Sequence, residues 1–312
     1  MINKVIYTLL TVILLFATNA NGAPMAYSVN SDGQQQATWD SLYVIDLSGE
    51  DSEQRVGTLF SGSLTHTHYD TEGLAFDADG KLWGIDDGSL ALFPINPESG
   101  AINPFEIVPL PLGVFPPGGG NDFGMTFTCE NSIYLTSVTE QTLYRTDTEG
   151  NSEVVGSRGA LGIGISAIAA IGEPTRLFGL GLGNVDSPSL YSIDPQTGVA
   201  TVIGPLVNAE DYNEAGLAFD TDGNLWAITD RSNLIDQPTA LRNQPSQVLM
   251  INTETGEATP VSMTIETGFE SLAIGPPGGC YEPIPTLDVR GLALAFTGLM
   301  LIGFVVLRRR VI

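Results

Sequence analysis

The segments entering the predicted first strands carry five carboxylates: Asp70, Glu72, Asp122, Glu214 and Glu270. Each lies just before a short run of small apolar residues. Brought together on one face, they would offer hard oxygen donors of the kind Ca²⁺ prefers. Two of them held about 5 to 9 Å apart would instead make an acid/base pair for glycoside cleavage. The plainer alternative is a solvated acidic rim whose oxygens serve local turns, and the residue types alone favour it. His66 and His68 are the only histidines. Their i, i+2 spacing places both rings on one side of an extended segment. That segment continues through Asp70 to Glu72, so His66, His68 and Asp70 form a candidate set for Zn²⁺. Two histidines in an exposed loop are the competing reading. Ca²⁺ and Zn²⁺ are the candidate ions, and neither is required by the sequence. No Gly-x-Ser-x-Gly elbow and no His-Glu-x-x-His pair occurs, and the glycine-rich stretch 156–164 lacks a Gly-Lys-Ser/Thr ending. These absences argue against a serine hydrolase of the elbow type, a zinc protease of the helical type and a phosphate-binding loop.

A repeat must position these groups. Residues 72–86 and 215–229 share the pattern Gly-Leu-Ala-Phe-Asp-x-Asp-Gly-x-Leu-Trp-x-Ile. Weaker copies begin at Gly124 and Ala167, and a truncated one spans Glu270 to Gly275. Further along the units lies an Ile-Asp/Asn-Pro-x-x-Gly turn, at Ile95–Gly100, Ile193–Gly198 and, with Thr for Pro, Ile251–Gly256. Each unit reads as four short strands, the first with small side chains suited to a crowded axis. The Asp-x-Asp-Gly pairs lack the remaining positions of an EF-hand loop, so they are expected to shape turns. Trp83 and Trp226 fall at equivalent second-strand positions and are expected in the core. Four-stranded sheets recurring every 40 to 55 residues predict β-propeller blades. A β-sandwich is the rival, but it would not need one phrase five times. Blades begin near residues 72, 124, 166, 215 and 270. The last holds only a first strand, so the strands expected at 26–29, 41–47 and 55–59 must complete it. The predicted fold is therefore all-β: a five-bladed β-propeller over residues 25–277, closed by N- and C-terminal strands. Its repeat grammar resembles extracellular NHL- or YncE-like propellers, a likeness that implies a fold and no particular activity.

Composition agrees. Of 312 residues, 36 are Gly and 19 are Pro, which favours short elements and tight turns over long helices. Lys and Arg number 12 against 36 Asp and Glu, for a formal charge of −24. Residues 24–281 keep seven of those cations and 34 of the acids. Such a surface repels phosphate backbones, so nucleic acid is excluded as a partner.

Both ends read as addresses. Residues 1–22 have a Lys4 n-region, an apolar run from Val5 to Ala17 and small polar residues after it, the pattern of a signal peptide. Residues 291–307 are uncharged and long enough for a short transmembrane helix. The basic tail 308–312, with Arg308, Arg309 and Arg310, would stay cytoplasmic and place the acidic body outside. The linker 278–290 contains Ile284, Pro285, Thr286 and Leu287. This motif, the apolar span and the Arg cluster together resemble the IPTL-CTERM sorting signal, which is similar to the PEP-CTERM signals of Gram-negative bacteria. The resemblance implies export across the inner membrane, transient anchoring there, and removal of the anchor by an exosortase-type membrane protease during sorting to the cell surface. Asp288-Val289-Arg290 stands where that family tends to have Ser-Glu-Trp.

Cys129 and Cys280 are the only cysteines. Each follows a predicted inner strand, so both should emerge on one face of the ring. In an exported chain they are candidates for a disulfide that locks the closure. The function these readings favour is a non-catalytic binding or matrix module for extracellular polysaccharide or a surface protein, with Glu72, Asp122, Glu214 and Glu270 as the candidate ligand-binding residues. The alternative is an extracellular, glycosidase-like hydrolase using paired axial carboxylates.

Overall fold

The computed structural model describes residues 23–31, 40–49, 53–60, 71–113, 122–183, 188–234 and 237–280. The leader, the sorting motif (Ile284 to Leu287), the C-terminal apolar span, and His66, His68 and Asp70 lie outside the described residues. Among the described residues no helix is long and apolar enough to cross a membrane. The only helical element among them is a single 3₁₀ turn, Thr239–Leu241.

Among the described residues nineteen strands form five antiparallel sheets. Blade A contains β1 (Met25–Asn30), β2 (Ser41–Asp46) and β3 (Gln54–Thr58). Blade B contains β4 (Thr71–Phe76), β5 (Leu82–Asp86), β6 (Ala91–Ile95) and β7 (Val108–Pro109). Blade C contains β8 (Phe123–Phe127), β9 (Ile133–Ser137), β10 (Thr142–Thr146) and β11 (Glu153–Val154). Blade D contains β12 (Ile165–Ile171), β13 (Arg176–Gly181), β14 (Ser189–Ile193) and β15 (Ala200–Pro205). Blade E contains β16 (Ala215–Phe219), β17 (Leu225–Thr229), β18 (Gln247–Ile251) and β19 (Ala258–Met263). Each sheet is a meander, because every strand pairs with its neighbour in sequence.

Blade A takes its inner strand from the far end of the propeller body. Ala273 and Tyr27 exchange two backbone hydrogen bonds, at 2.9 and 2.8 Å, and Asn30 bridges to Phe269. The Ser28 hydroxyl donates to the Ser271 carbonyl, and Ser271 Oγ accepts from the Val29 amide at 3.1 Å. Leu272 lies in one buried cluster with Tyr43, as this closure requires. The closure gives blade A the inner segment that each other blade has as its first strand.

The core is divided among the blade interfaces. Among the described residues five apolar clusters are present, each joining two adjacent blades: A with B, B with C, C with D, D with E, and E with A. Ring contacts reinforce them, with Tyr43 edge-on to Phe269 and Phe178 edge-on to Phe219. The apolar face of each sheet is thus covered by the next one round, which is why a single blade could not bury its own surface.

Recurring polar turns set each blade's shape. Asp220 Oδ1 accepts from the amides of Asp222 and Asn224, and its Oδ2 accepts from the Trp226 indole at 2.8 Å. Asp77 repeats this with Asp79, Lys81 and Trp83. The Asp-x-Asp-Gly pairs are therefore structural, and each tryptophan is anchored to its turn as well as packed in the core. In the Pro-x-x-Gly turns Asn96, Asp194 and Asn252 accept from the amide two residues on. Inner-strand glycines answer to a different demand. A Cβ on Gly216 would stand 2.3 Å from the Leu272 nitrogen, and one on Gly73 would stand 2.8 Å from the Phe123 carbonyl oxygen. The inner strands converge too closely for any larger residue there.

Candidate functional site

All five inner strands run in the same sense, so their N-terminal ends gather at one mouth of the axis. That is where the sequence places its carboxylates. The register shows how they are aimed. In blade B the pairing skips from Thr71 to Gly73, so Glu72 is the extra residue of a β-bulge. In blade D the pairing skips from Ile165 to Ala167, and Ser166 is the extra residue. A bulge re-aims one side chain out of the alternation of its strand. Asp122 and Glu214 sit immediately before β8 and β16, and Glu270 sits within the closing inner segment, between its bridged residues Phe269 and Ala273.

Glu72, Glu214 and Glu270 converge so that one carboxylate oxygen from each lies within 4.8 Å of the others. Glu72 and Glu270 are buried, at 8% and 6% exposure, while Glu214 is half-buried. Asp122 joins them through a side-chain hydrogen bond with Glu214. Burial pushes the Asp122 carboxyl above its ordinary range, and the Glu214 contact works against that rise. Like charges at such spacing repel by about 3 kcal/mol per pair at an effective dielectric near 20. The mouth therefore favours a proton or a cation over a third or fourth bare negative charge.

Below the carboxylates the axis narrows to a cavity of about 10 Å³, lined by Glu72, Ser166 and Glu270 among the inner-strand residues. At the opposite end a second cavity of about 30 Å³ lies under the 275–278 segment. Either holds one or two water-sized occupants and no sugar ring. The convergence of the carboxylate oxygens would suit a shared ion.

Of the four candidate ligand-binding residues, the structure brings all of Glu72, Asp122, Glu214 and Glu270 to one place. Ser166 completes the circuit, one polar position per blade, and type-based reasoning passed over it because serine is unremarkable alone. The signal was present: aligning Ala167-Ile-Ala-Ala with Gly73-Leu-Ala-Phe sets Ser166 opposite Glu72. On the other face Cys129 and Cys280 form a disulfide with a Cα separation of 4.9 Å, tying the segment after the closing strand to blade C.

The fold and this axial arrangement define the chain as a five-bladed β-propeller. No protein-family model matches it, and no curated protein does so. Among solved structures it is similar to a virginiamycin B lyase from Staphylococcus aureus, at 18% identity over 78% of this chain and 71% of that one, with a TM-score of 0.40. It is also similar to a chain of a nidogen/laminin complex, at 11% identity over 81% and 98% of the two chains, with a TM-score of 0.47.

Proposed function

We propose that this protein is an exported, surface-sorted propeller that binds an extracellular polysaccharide or a surface protein without turning it over. The observation that carries the reading is the convergence of carboxylates from four blades at one mouth of a rigid ring. A rigid scaffold that presents groups from several loops at one point is a common basis for recognition. The Cys129–Cys280 bond supports an oxidising destination, because such bonds persist outside the reducing cytosol. Export would follow from the 1–22 leader. Anchoring would come from the 291–307 span, and release from exosortase-type cleavage near the 284–287 motif.

The purified full-length chain tests this on a glycan array, a surface-protein pull-down and a hydrolysis screen run side by side. Retention of one glycan class or one surface protein without product formation is expected. Turnover that disappears in Glu72→Gln would refute the non-catalytic reading. Mass spectrometry of surface-released protein tests the sorting step, and intact residues 288–312 in every mature copy would dispose of it.

A further inference from the structure

Ser166 is 4% exposed, and its Oγ is fully buried with no hydrogen-bond partner. It lines the same cavity as Glu72 and Glu270. A buried hydroxyl left unmatched costs about 1 to 3 kcal/mol, so its position calls for an occupant with which it can interact. The bulge that turns Ser166 toward the axis is the one that turns Glu72 there, two blades away. The three carboxylate oxygens supply a second, independent constraint. Two ligands on opposite sides of one Ca²⁺ lie roughly 4.6 to 5.2 Å apart, twice the metal–oxygen distance. Oxygens from Glu72, Glu214 and Glu270 all fall within 4.8 Å of one another. They therefore fit on a single coordination shell without rearranging the strands.

We propose that Glu72, Glu214 and Glu270, together with the Ser166 hydroxyl, form a site for one Ca²⁺ ion at the mouth of the propeller axis. The proposal rests on reading the axial face as a binding face and names its inorganic ligand. The four donors are all oxygens, the set that Ca²⁺ takes, whereas Zn²⁺ sites draw on imidazole and thiolate. The cavity of about 10 Å³ admits one ion-sized occupant. Mg²⁺ holds its hydration waters tightly and suits so small a space poorly. The ion would join blades B, D and E to the closing segment of blade A, pinning the ring where its two ends meet.

The test is calorimetric titration of the EDTA-stripped full-length chain with CaCl₂, paired with thermal melts. One ion per chain is expected, together with a rise in melting temperature on adding CaCl₂ and weaker binding of MgCl₂. Glu270→Gln should weaken Ca²⁺ binding at least tenfold, and Ser166→Ala about three- to tenfold. Glu270→Gln should also raise the metal-free melting temperature, because it removes a repelling charge. A merely structural carboxylate would lower it. Absence of a Ca²⁺ signal in the wild-type chain, or unchanged affinity in both variants, would overturn the site. Stoichiometric Ca²⁺ binding with a blank glycan array and pull-down would uphold the site while defeating the module reading. A positive array from a chain that binds no Ca²⁺ would do the reverse.

Discussion

Removing the Cys129–Cys280 bond gives the most direct measure of how this ring is held closed. The bond spans 151 residues of chain. In the loop-entropy treatment, a cross-link over such a length raises stability by about 5 kcal/mol, chiefly by restricting the unfolded chain. Residual structure in the unfolded ensemble reduces that figure, so about 3 to 5 kcal/mol is expected. For a body of this size each kcal/mol moves the melting temperature by roughly 2 to 4 °C, which predicts a fall of about 6 to 20 °C in Cys129→Ser/Cys280→Ser. The wild-type chain under reductant should melt with the double variant. The native ring should still close, because Ala273 and Tyr27 keep their backbone pair and Phe269 keeps its contact with Tyr43. Its closing segment should nevertheless open sooner, and hydrogen exchange at the Ala273 amide should speed up before that of the blade cores. Differential scanning calorimetry and exchange mass spectrometry read both effects. A shift below about 3 °C, with unchanged exchange at Ala273, would show that the bond does not restrain closure.

Asp220→Ala should destabilise the ring by about 2 to 3 kcal/mol in a denaturant titration, since the buried Trp226 indole and two turn amides lose their acceptor. Asp220→Asn, which retains one carbonyl oxygen, should cost less. The pH dependence of Asp122 has a definite sign. Its folded-state carboxyl titrates above the ordinary 3.8, so the folded state binds the proton more tightly than the unfolded one. Stability from this group is present below the unfolded value and is lost as pH rises through the folded value. Metal-free Asp122→Asn should therefore melt above the wild type at neutral pH, and the two melting curves should meet below about pH 3.8. Identical melting temperatures across the range would mean that burial does not penalise the Asp122 charge.

Much of this architecture was legible in the residues alone. The pattern shared by 72–86 and 215–229 implied blades because it records local chemistry. Asp77 and Asp220 must accept turn amides, and Gly80 and Gly223 must take a positive φ, at 82° and 84°. The small inner-strand residues announced a crowded axis for the same local reason, and the truncated copy at Glu270 announced the closure. What local pattern could not supply was the distance between groups from different blades. Glu72 and Glu270 are nearly 200 residues apart, and only the ring brings their oxygens within 4.8 Å. Nor could residue type reveal Ser166, whose importance comes from a register skip in β12 and from burial beside two carboxylates. The indole-to-Asp anchors were likewise unseen, because a tryptophan in an apolar strand reads as packing until its Nε1 has a partner. Sequence determined which strands form and how they turn, since those depend on neighbours in the chain. Tertiary structure alone decided which side chains meet at the axis, since that depends on where the last blade finds its inner strand.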